Sequence, residues 1–522
     1  MNLKTLPIFS KNSKTSYNNK QADMNYYMGV DIGTTAVKVV AFSKEGTILA
    51  QQSGTYKMLH PHAGWSEQNP EDIFSAVVES INTVYKNLQP AVPLVVSFSS
   101  LMHSLLLIDK KQQPLTNSII WADNRAVDIA EALKDTALGK KIYHITGVPV
   151  HAMSPLCKLL WFKENEPVLF DKAARFISIK EYVFFRLFGK YQIDTAVASS
   201  TALFNFKTLQ WDDELLELLD ISRNQLSEVV SVKHKLLLEP GGPLQLPAQT
   251  PFIIGGSDGA SANLSIGNMT RQPMVVTVGT SAAVRILTTQ PATDNAMRTF
   301  CYHAKDKSYI IGGAANNGAI VLEWLKETWL QTDDNIGQLL EMAATVAPGC
   351  DGLLFLPYLL GERAPLWDAH AKAVFFGLTI NHTRAHMVRA AMEAVIYNIY
   401  SVGRVIMESN DVSEVYATGG FTRNPLWLQM LADIFNRKVL LSASEESSAL
   451  GAAMIGIDAL QLQPLPNPAV TAVYTPNHEY HTVYMKHFRQ FERLYVLLKH
   501  EFAEEEAFVT EKAFNKNSSI KA

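Results

Sequence analysis

Cysteine is scarce. Cys157, Cys301 and Cys350 are the whole complement of 522 residues. Their spacing matches no metal-ligand pattern, and an odd, sparse set suits a reducing compartment, so a cytoplasmic location is expected. Long apolar runs are missing as well. No stretch approaches the ~18 uninterrupted apolar residues of a membrane span. Residues 1–27 are polar and lack the ~7–15-residue apolar core of a secretory signal. They are expected to form a disordered tail, or to precede a start at Met24 or Met28. A basic surplus is absent too. The formal net charge of −4 gives no electrostatic case for nucleic acid or an anionic membrane as partner. What remains is 47% hydrophobic and 18% charged residues, the composition of a well-packed globular protein. The chain is too long for one hydrophobic core, so two or more domains are expected.

One pattern occurs twice. Val30-Asp31-Ile32-Gly33-Thr34-Thr35-Ala36-Val37 and Val276-Thr277-Val278-Gly279-Thr280-Ser281-Ala282-Ala283 each run from an apolar, β-branched stretch through Gly and two hydroxyl residues into another apolar stretch. Each reads as a strand, a tight turn and a returning strand. Free N–H groups in such a turn, with hydroxyls beside them, make a concavity suited to phosphate oxygens. Two copies in two halves of similar length suggest two related domains facing one polyphosphate. Only the first copy carries an acid, Asp31, before the turn. Such an acid can hold Mg²⁺ through water, since that ion keeps several waters and takes few protein carboxylates.

Other stretches place functional groups at strand ends, where ligands of open α/β sheets gather. The apolar run 92–98 ends in Ser99-Ser100-Leu101-Met102-His103. Ile119-Ile120 leads into Trp121-Ala122-Asp123-Asn124-Arg125, where Arg125 either pairs with Asp123 or faces a ligand. A helix opening at Ser154-Pro155 carries Lys158 in its first turn, either snorkelling or in a site. The run 251–255 leads into Gly256-Ser257-Asp258-Gly259, one carboxylate among small residues near the seam of the halves. In the second half, Ile310-Ile311-Gly312-Gly313 runs through small residues to Gly318. An apolar strand over 353–358 leads into Gly361-Glu362-Arg363-Ala364-Pro365. A long helix is expected over 383–407, and Gly419-Gly420 with Asn424 follows a strand at 415–418. Ser447 to Ala453 is a small-residue helix suited to close packing. The seam 267–273 is short, so the halves are expected to pack and hinge.

This ordered set resembles the motifs of the FGGY carbohydrate kinases. Asp31-Ile32-Gly33-Thr34-Thr35, Trp121 to Arg125, Gly256 to Gly259, Val278 to Ser281, Gly361 to Pro365 and Gly419-Gly420 with Asn424 carry the likeness, from about Tyr27 to about Leu460. Ser97 to Ser104, Met153 to Lys158 and Ile179 to Tyr182 are most similar to the bacterial gluconokinase branch. The resemblance implies an α/β fold of two ribonuclease-H-like (actin-like ATPase) domains with an interdomain cleft. Its expected layout is a tail (1–27), an N-terminal domain with sugar site and first phosphate loop (28–268), a C-terminal domain with second phosphate loop and adenosine site (269–460), and a helical extension and tail (461–522).

The implied activity is ATP-dependent phosphorylation of a small sugar acid, D-gluconate to 6-phospho-D-gluconate. Asp258 is the implied catalytic base, and Asp31 and Asp258 the Mg²⁺ carboxylates. Met102, His103, Trp121, Arg125, Lys158 and Asp258 form the expected substrate set. Gly33, Thr34, Thr35, Lys38, Gly279, Thr280, Ser281, Gly318, Gly419, Gly420 and Asn424 form the expected ATP set. A sugar acid brings a carboxylate that needs cations or N–H donors, and Arg125 and Lys158 are the nearest candidates in sequence. Xylulokinase or another sugar or polyol kinase is the alternative. An actin- or chaperone-like ATPase fits less well, because the ~60 residues after Leu460 are too few for an independent peptide-binding domain. A homodimer stays open.

Overall fold

The computed structural model describes residues 25–266, 273–442 and 446–519. The expected tail up to residue 24 and the seam 267–272 lie outside the described residues. Strands β1 (Tyr26–Ile32) and β2 (Ala36–Phe42) form an antiparallel hairpin, and β3 (Ile48–Thr55) extends it. Helix α1 (Pro70–Leu88) begins where the Asn69 side chain accepts from the Glu71 N–H, with Pro70 at the first helical position. Glu71 and Asp72 then sit at the positive end of its dipole. Its stripe Ile73, Val77, Ile81 and Val84 is buried against the sheet. Strand β4 (Pro93–Ser100) lies parallel to β1 on the other side.

After β4 the chain builds an insertion with its own core, which includes Leu156, Leu159 and Phe162 of helix α2 (Pro155–Asn165). Helix α3 (Ile179–Phe188) follows, opened by a reciprocal capping box of Ser178 and Glu181. Strands β5 (Lys235–Leu237) and β6 (Pro251–Ser257) complete the first sheet in the order β5-β6-β4-β1-β2-β3, with β6 parallel to β4. The short helix α4 (Asp258–Leu264) starts at once, capped by Ser257.

The second sheet repeats this plan. β7 (Met274–Val278) and β8 (Ala282–Thr288) form the hairpin, and β9 (Phe300–Lys305) and β10 (Ser308–Ala315) follow it. β10 lies beside β8 as β3 lies beside β2. Helix α5 (Arg384–Ser409) leads to β11 (Glu414–Thr418), helix α6 (Pro425–Phe435), β12 (Lys438–Ser442), helix α7 (Ser447–Ala459), β13 (Val470–Tyr474) and helix α8 (His478–Ser519). The order is β9-β10-β8-β7-β11-β12-β13. β11 lies parallel to β7 and β12 parallel to β11, as β4 and β6 do in the first sheet. The edge strand β13 and the length of α8 were not foreseen in the residues after Leu460. Helix α8 docks on α5, where Arg389 donates to Glu393 at 2.9 Å and to the Tyr484 hydroxyl at 2.7 Å.

Helix α7 follows the second sheet in sequence but packs on the first. Its Ala449, Leu450, Ala453 and Ile455 join Tyr27, Val40, Val95 and Ile253 in one cluster. Glycine makes this contact close. A Cβ on Gly29 would lie 1.9 Å from the Ala449 carbonyl oxygen, and one on Gly451 1.8 Å from that of Ser261. No helix among the described residues is long and apolar enough to cross a membrane.

Candidate active site

In the first hairpin turn every carbonyl is consumed internally. Gly33 O accepts from the Tyr56 hydroxyl, Thr34 O from the Gln68 amide, and Thr35 O from the Tyr56 N–H. Gly33 N–H closes the turn on Ala36 O at 3.0 Å, and no described residue accepts from the N–H groups of Thr34 and Thr35. The second turn repeats this with different donors. Gly279 O accepts from the Ala319 N–H, Thr280 O from the Gly318 and Ile320 N–H groups, and Ser281 O from Gly279. Both turns therefore present donors and hide acceptors, the arrangement an anion requires.

Two carboxylates stand at strand ends of the first sheet. Asp31 lies in register with Ser99 of β4. Its Oδ1 is enclosed with no hydrogen-bond partner. Burial pushes its carboxyl up to about 7, the Asp258 charge adds to this, and Ser99 and Lys38 pull against it. Asp258 opens α4, and its Oδ1 accepts from the Gly259 N–H at 2.6 Å. Burial raises the Asp258 carboxyl too, with Arg285 pulling it down. The strand end beneath is fixed by Lys180, whose Nζ donates to Asp194 Oδ2 at 2.7 Å and to Gly256 O at 2.9 Å. Among the described residues no cluster of three or more His, Cys, Asp or Glu side chains forms a metal cage. The orphaned Asp31 oxygen facing a second carboxylate fits an ion that keeps most of its waters.

Between the sheets lies a cavity of about 160 Å³, walled by Asp258, Met102, His103, Trp121, Arg285 and Arg363, with Thr34 and Ser281 at the two turns and Phe300 and Tyr302 behind. His103 follows the end of β4 with a left-handed backbone, φ 65°. Burial and the nearby Lys158 and Arg363 charges hold its imidazole down at about 3, so it is neutral at pH 7. Trp121 donates its indole N–H to Thr34 Oγ1 at 3.0 Å, and the Arg363 guanidinium lies 4.3 Å from its ring centroid. Glu362 takes no cation. It accepts from the N–H groups of Asn316 and Arg363 and from the side-chain amides of Asn317 and Asn398.

Two expected substrate residues do not reach this cavity. Arg125 is bonded through its guanidinium to Asp123 and Glu67 and lies 3.7 Å over the Trp65 ring. It braces the strand that carries Gln68 to the first turn. Lys158 donates to the carbonyls of His103 (2.7 Å), Ile120 (2.8 Å) and Ile119 (3.3 Å). It ties the His103 loop to the Trp121 strand, and burial draws it down to about 7. Both are committed within the protein, so nearness in sequence misled.

The expected ATP residues divide similarly. Lys38 is exposed and bridges to Glu446 at 2.9 Å. Gly318 sits under the second turn, where a Cβ would meet Gly279 O at 2.6 Å, so its role here is packing. Asn424 caps α6 through the Trp427 N–H. Gly419 is left-handed at φ +99° with Val278 O 2.4 Å from a virtual Cβ, whereas a Cβ on Gly420 meets nothing within 4 Å. Sequence reasoning passed over Arg285, Arg363, Tyr56 and Gln68. Arg285 had left a signal as the one charge in the apolar run 282–287.

Residues 26–265 match the N-terminal domain of the FGGY family of carbohydrate kinases, and residues 274–460 match its C-terminal domain. A gluconokinase of Bacillus licheniformis is 41% identical over 447 residues, 83% of this chain and 87% of that protein. A crystal structure of gluconate kinase from Lactobacillus acidophilus aligns with TM-score 0.88 at 34% identity, covering 92% of this chain and 99% of that one. A ligand-bound xylulose kinase structure from Lactobacillus acidophilus aligns with TM-score 0.87, also at 34% identity, with the same coverage of each chain. With both of its domains matched in order along one chain, the protein belongs to the FGGY family of carbohydrate kinases and has their two-domain fold.

Proposed function

We propose that the protein phosphorylates D-gluconate at its terminal hydroxyl, using ATP, with Asp258 as general base. The observation that carries the chemistry is the position of Asp258 on the wall of a small cavity, between two turns whose carbonyls are all occupied. The similarity to the Bacillus gluconokinase supports gluconate as acceptor. The two Lactobacillus structures do not separate gluconate from xylulose, since they align equally well.

Phosphoryl transfer asks a protein mostly for position and charge. The turns at 33–35 and 279–281 hold the phosphate oxygens. The Gly259 N–H fixes one oxygen of Asp258, and the other faces the acceptor hydroxyl. That hydroxyl gives its proton to Asp258 as its oxygen bonds the γ-phosphorus. The bond from phosphorus to the β–γ bridging oxygen breaks, and ADP leaves. Burial raises the affinity of the base for the proton, with the Arg285 charge pulling against it. Asp31 and Asp258 are the carboxylates that would hold Mg²⁺, which when bound supplies positive charge against the phosphate oxygens. His103 and Trp121 orient the chain of hydroxyls, and Gly420 leaves a surface for adenosine. Closure of the cleft excludes water that would otherwise accept the phosphate.

The test is catalytic efficiency with ATP on gluconate, xylulose, glycerol and ribulose under one set of conditions. Gluconate is expected to be preferred. Preference for xylulose would overturn the gluconate assignment and leave a sugar kinase.

A further inference from the structure

We propose that Arg285, with Arg363 beside it, holds the carboxylate of the acceptor and so sets the enzyme's preference for an open-chain sugar acid over a neutral sugar. This rests on the reading of the cavity as the acceptor site. The charged side chains on the cavity wall are Asp258, Arg285 and Arg363, two cations against one anion. Glu362 is bonded to four N–H donors and acts on Arg363 through space, so Arg285 is the cation it leaves without a counter-charge from this side. His103 and His151 are both held neutral, drawn down to about 3 by burial and neighbouring cations. Arg363 is drawn down by burial only to about 10, so it stays charged.

Arg285 also lacks what the other enclosed cations have. Arg125, Lys158, Lys180 and Arg389 are each bonded to carboxylates or carbonyls. Arg285 makes no hydrogen bond or ion pair with a described residue, and its Nε is enclosed without a partner. Asp258 acts on this guanidinium only through space, and an enclosed cation without hydrogen-bond partners is costly until an anion bonds it directly. Two glycines make its seat. A Cβ on Gly259 would lie 3.0 Å from Arg285 Nε, and one on Gly312 3.0 Å from its Cγ. Ala283, two residues earlier on the same strand face, also lines the cavity and keeps it open.

The strand gives the length. Arg285 is three residues along β8 from Ala282, where the strand leaves the phosphate turn. At about 3.4 Å per residue that is roughly 10 Å. A six-carbon acid has five carbon–carbon bonds of about 1.5 Å between its carboxylate carbon and its terminal carbon. That chain is shorter than the backbone distance, and the Arg285 side chain, seated against Gly259 next to Asp258, makes up the difference, so the terminal hydroxyl can lie between Asp258 and the turn while the carboxylate meets the guanidinium. Two parallel N–H bonds from one guanidinium would grip it.

The experiment compares the full-length enzyme with Arg285→Gln and Arg285→Lys on D-gluconate and on D-glucitol. The latter is the same carbon chain with CH₂OH for the carboxylate. Calorimetric binding of gluconate and melting temperature are measured alongside. Arg285→Gln is expected to lower the ratio of gluconate to glucitol efficiency about 10–100-fold, mainly through KM for gluconate. Arg285→Lys should recover part of it, and the melting temperature should not fall. Equal losses on both acceptors, carried by kcat, would overturn the proposal and make Arg285 a tuner of Asp258. An unchanged gluconate KM would overturn it as well. If the unaltered enzyme does not turn over gluconate, the sugar-acid reading falls first and the arginine assignment with it. If it does and the variant keeps its selectivity, only the arginine assignment falls.

Discussion

The two hairpin turns share one backbone plan and differ in what surrounds it. In the first, side chains from other segments, Tyr56 and Gln68, occupy the carbonyls. In the second, the N–H groups of Gly318, Ala319 and Ile320 do so. The difference extends to one matched pair of strand positions. In the first sheet Asp31 faces Ser99 and keeps an unpartnered oxygen. In the second sheet Thr277 faces Thr418, and their hydroxyls bond each other at 2.8 Å. A duplicated frame thus presents a turn with occupied carbonyls at both ends, and one substitution at an equivalent place decides which end is self-satisfied. The first half carries acids and the second supplies cations.

The comparison breaks most severely at Asp258, the carboxylate on the cavity wall. Asp258→Asn is expected to lower turnover ~10²–10⁴-fold while nucleotide affinity persists. Turnover measured beside a nucleotide titration checks this, and near-normal turnover would remove Asp258 from the mechanism. Next, Asp31→Thr would give the first turn the chemistry of the second. The magnesium concentration needed for half-maximal rate should rise about 10–100-fold, the range for ligands acting through water. The metal-free melting temperature should not fall, since an unpartnered oxygen is removed. An unchanged magnesium requirement would mean that the two turns are equivalent after all.

A third effect separates the neighbours Gly419 and Gly420. Gly420→Val enters open space and should weaken ATP binding by about tenfold or more, the cost of forcing a branched side chain into an occupied gap. Acceptor binding should be kept. Gly419→Val should instead destabilise the fold, given its left-handed backbone and the nearby Val278 carbonyl. Equal loss of both ligands in Gly420→Val would place the adenosine elsewhere.

The smallest effect concerns imidazoles of the first half set against Arg363 of the second. Burial first, then neighbouring cations, lowers His103 and His151 from 6.5 to about 3. Between these values the unfolded chain binds protons that the folded chain refuses. Their contribution to stability is therefore full above pH 6.5 and declines as pH falls toward 3, by at most ~1.4 kcal/mol per unit for each. A His103→Gln, His151→Gln double variant should show a shallower fall in melting temperature from pH 7 to pH 5. Parallel curves would mean that both rings are solvated.

Both hairpins, the strand ends and Asp258 were legible because each depends on a short local pattern: an apolar run, a Gly, then polar groups. The long helix at 384–409 was legible from its period. Arg125 takes the Asp123 partner that was one of its two readings, but its second partner and those of Lys158 were hidden, because charge and proximity in sequence say nothing of a distant partner. Their partners, Glu67 and the His103 carbonyl, come from other segments. The silencing of the turn carbonyls by Tyr56 and Gln68 was invisible for the same reason. Arg285 was passed over although it is a lone charge in an apolar strand, and its seat depends on Gly259 and Gly312, which only the fold brings to it. Strand β13 was missed because it is short and mostly exposed.

Helix α7 makes the two halves inseparable in a practical sense. Cut at the seam, the chain would give a first fragment whose sheet shows Tyr27, Val40, Val95 and Ile253 to water, and a second fragment carrying a small-residue helix with no sheet to lie on. Neither piece is a folding unit by itself. The Gly29 and Gly451 contacts also leave no room for the helix to slide. Helix α7 thus clasps the two halves of this kinase together.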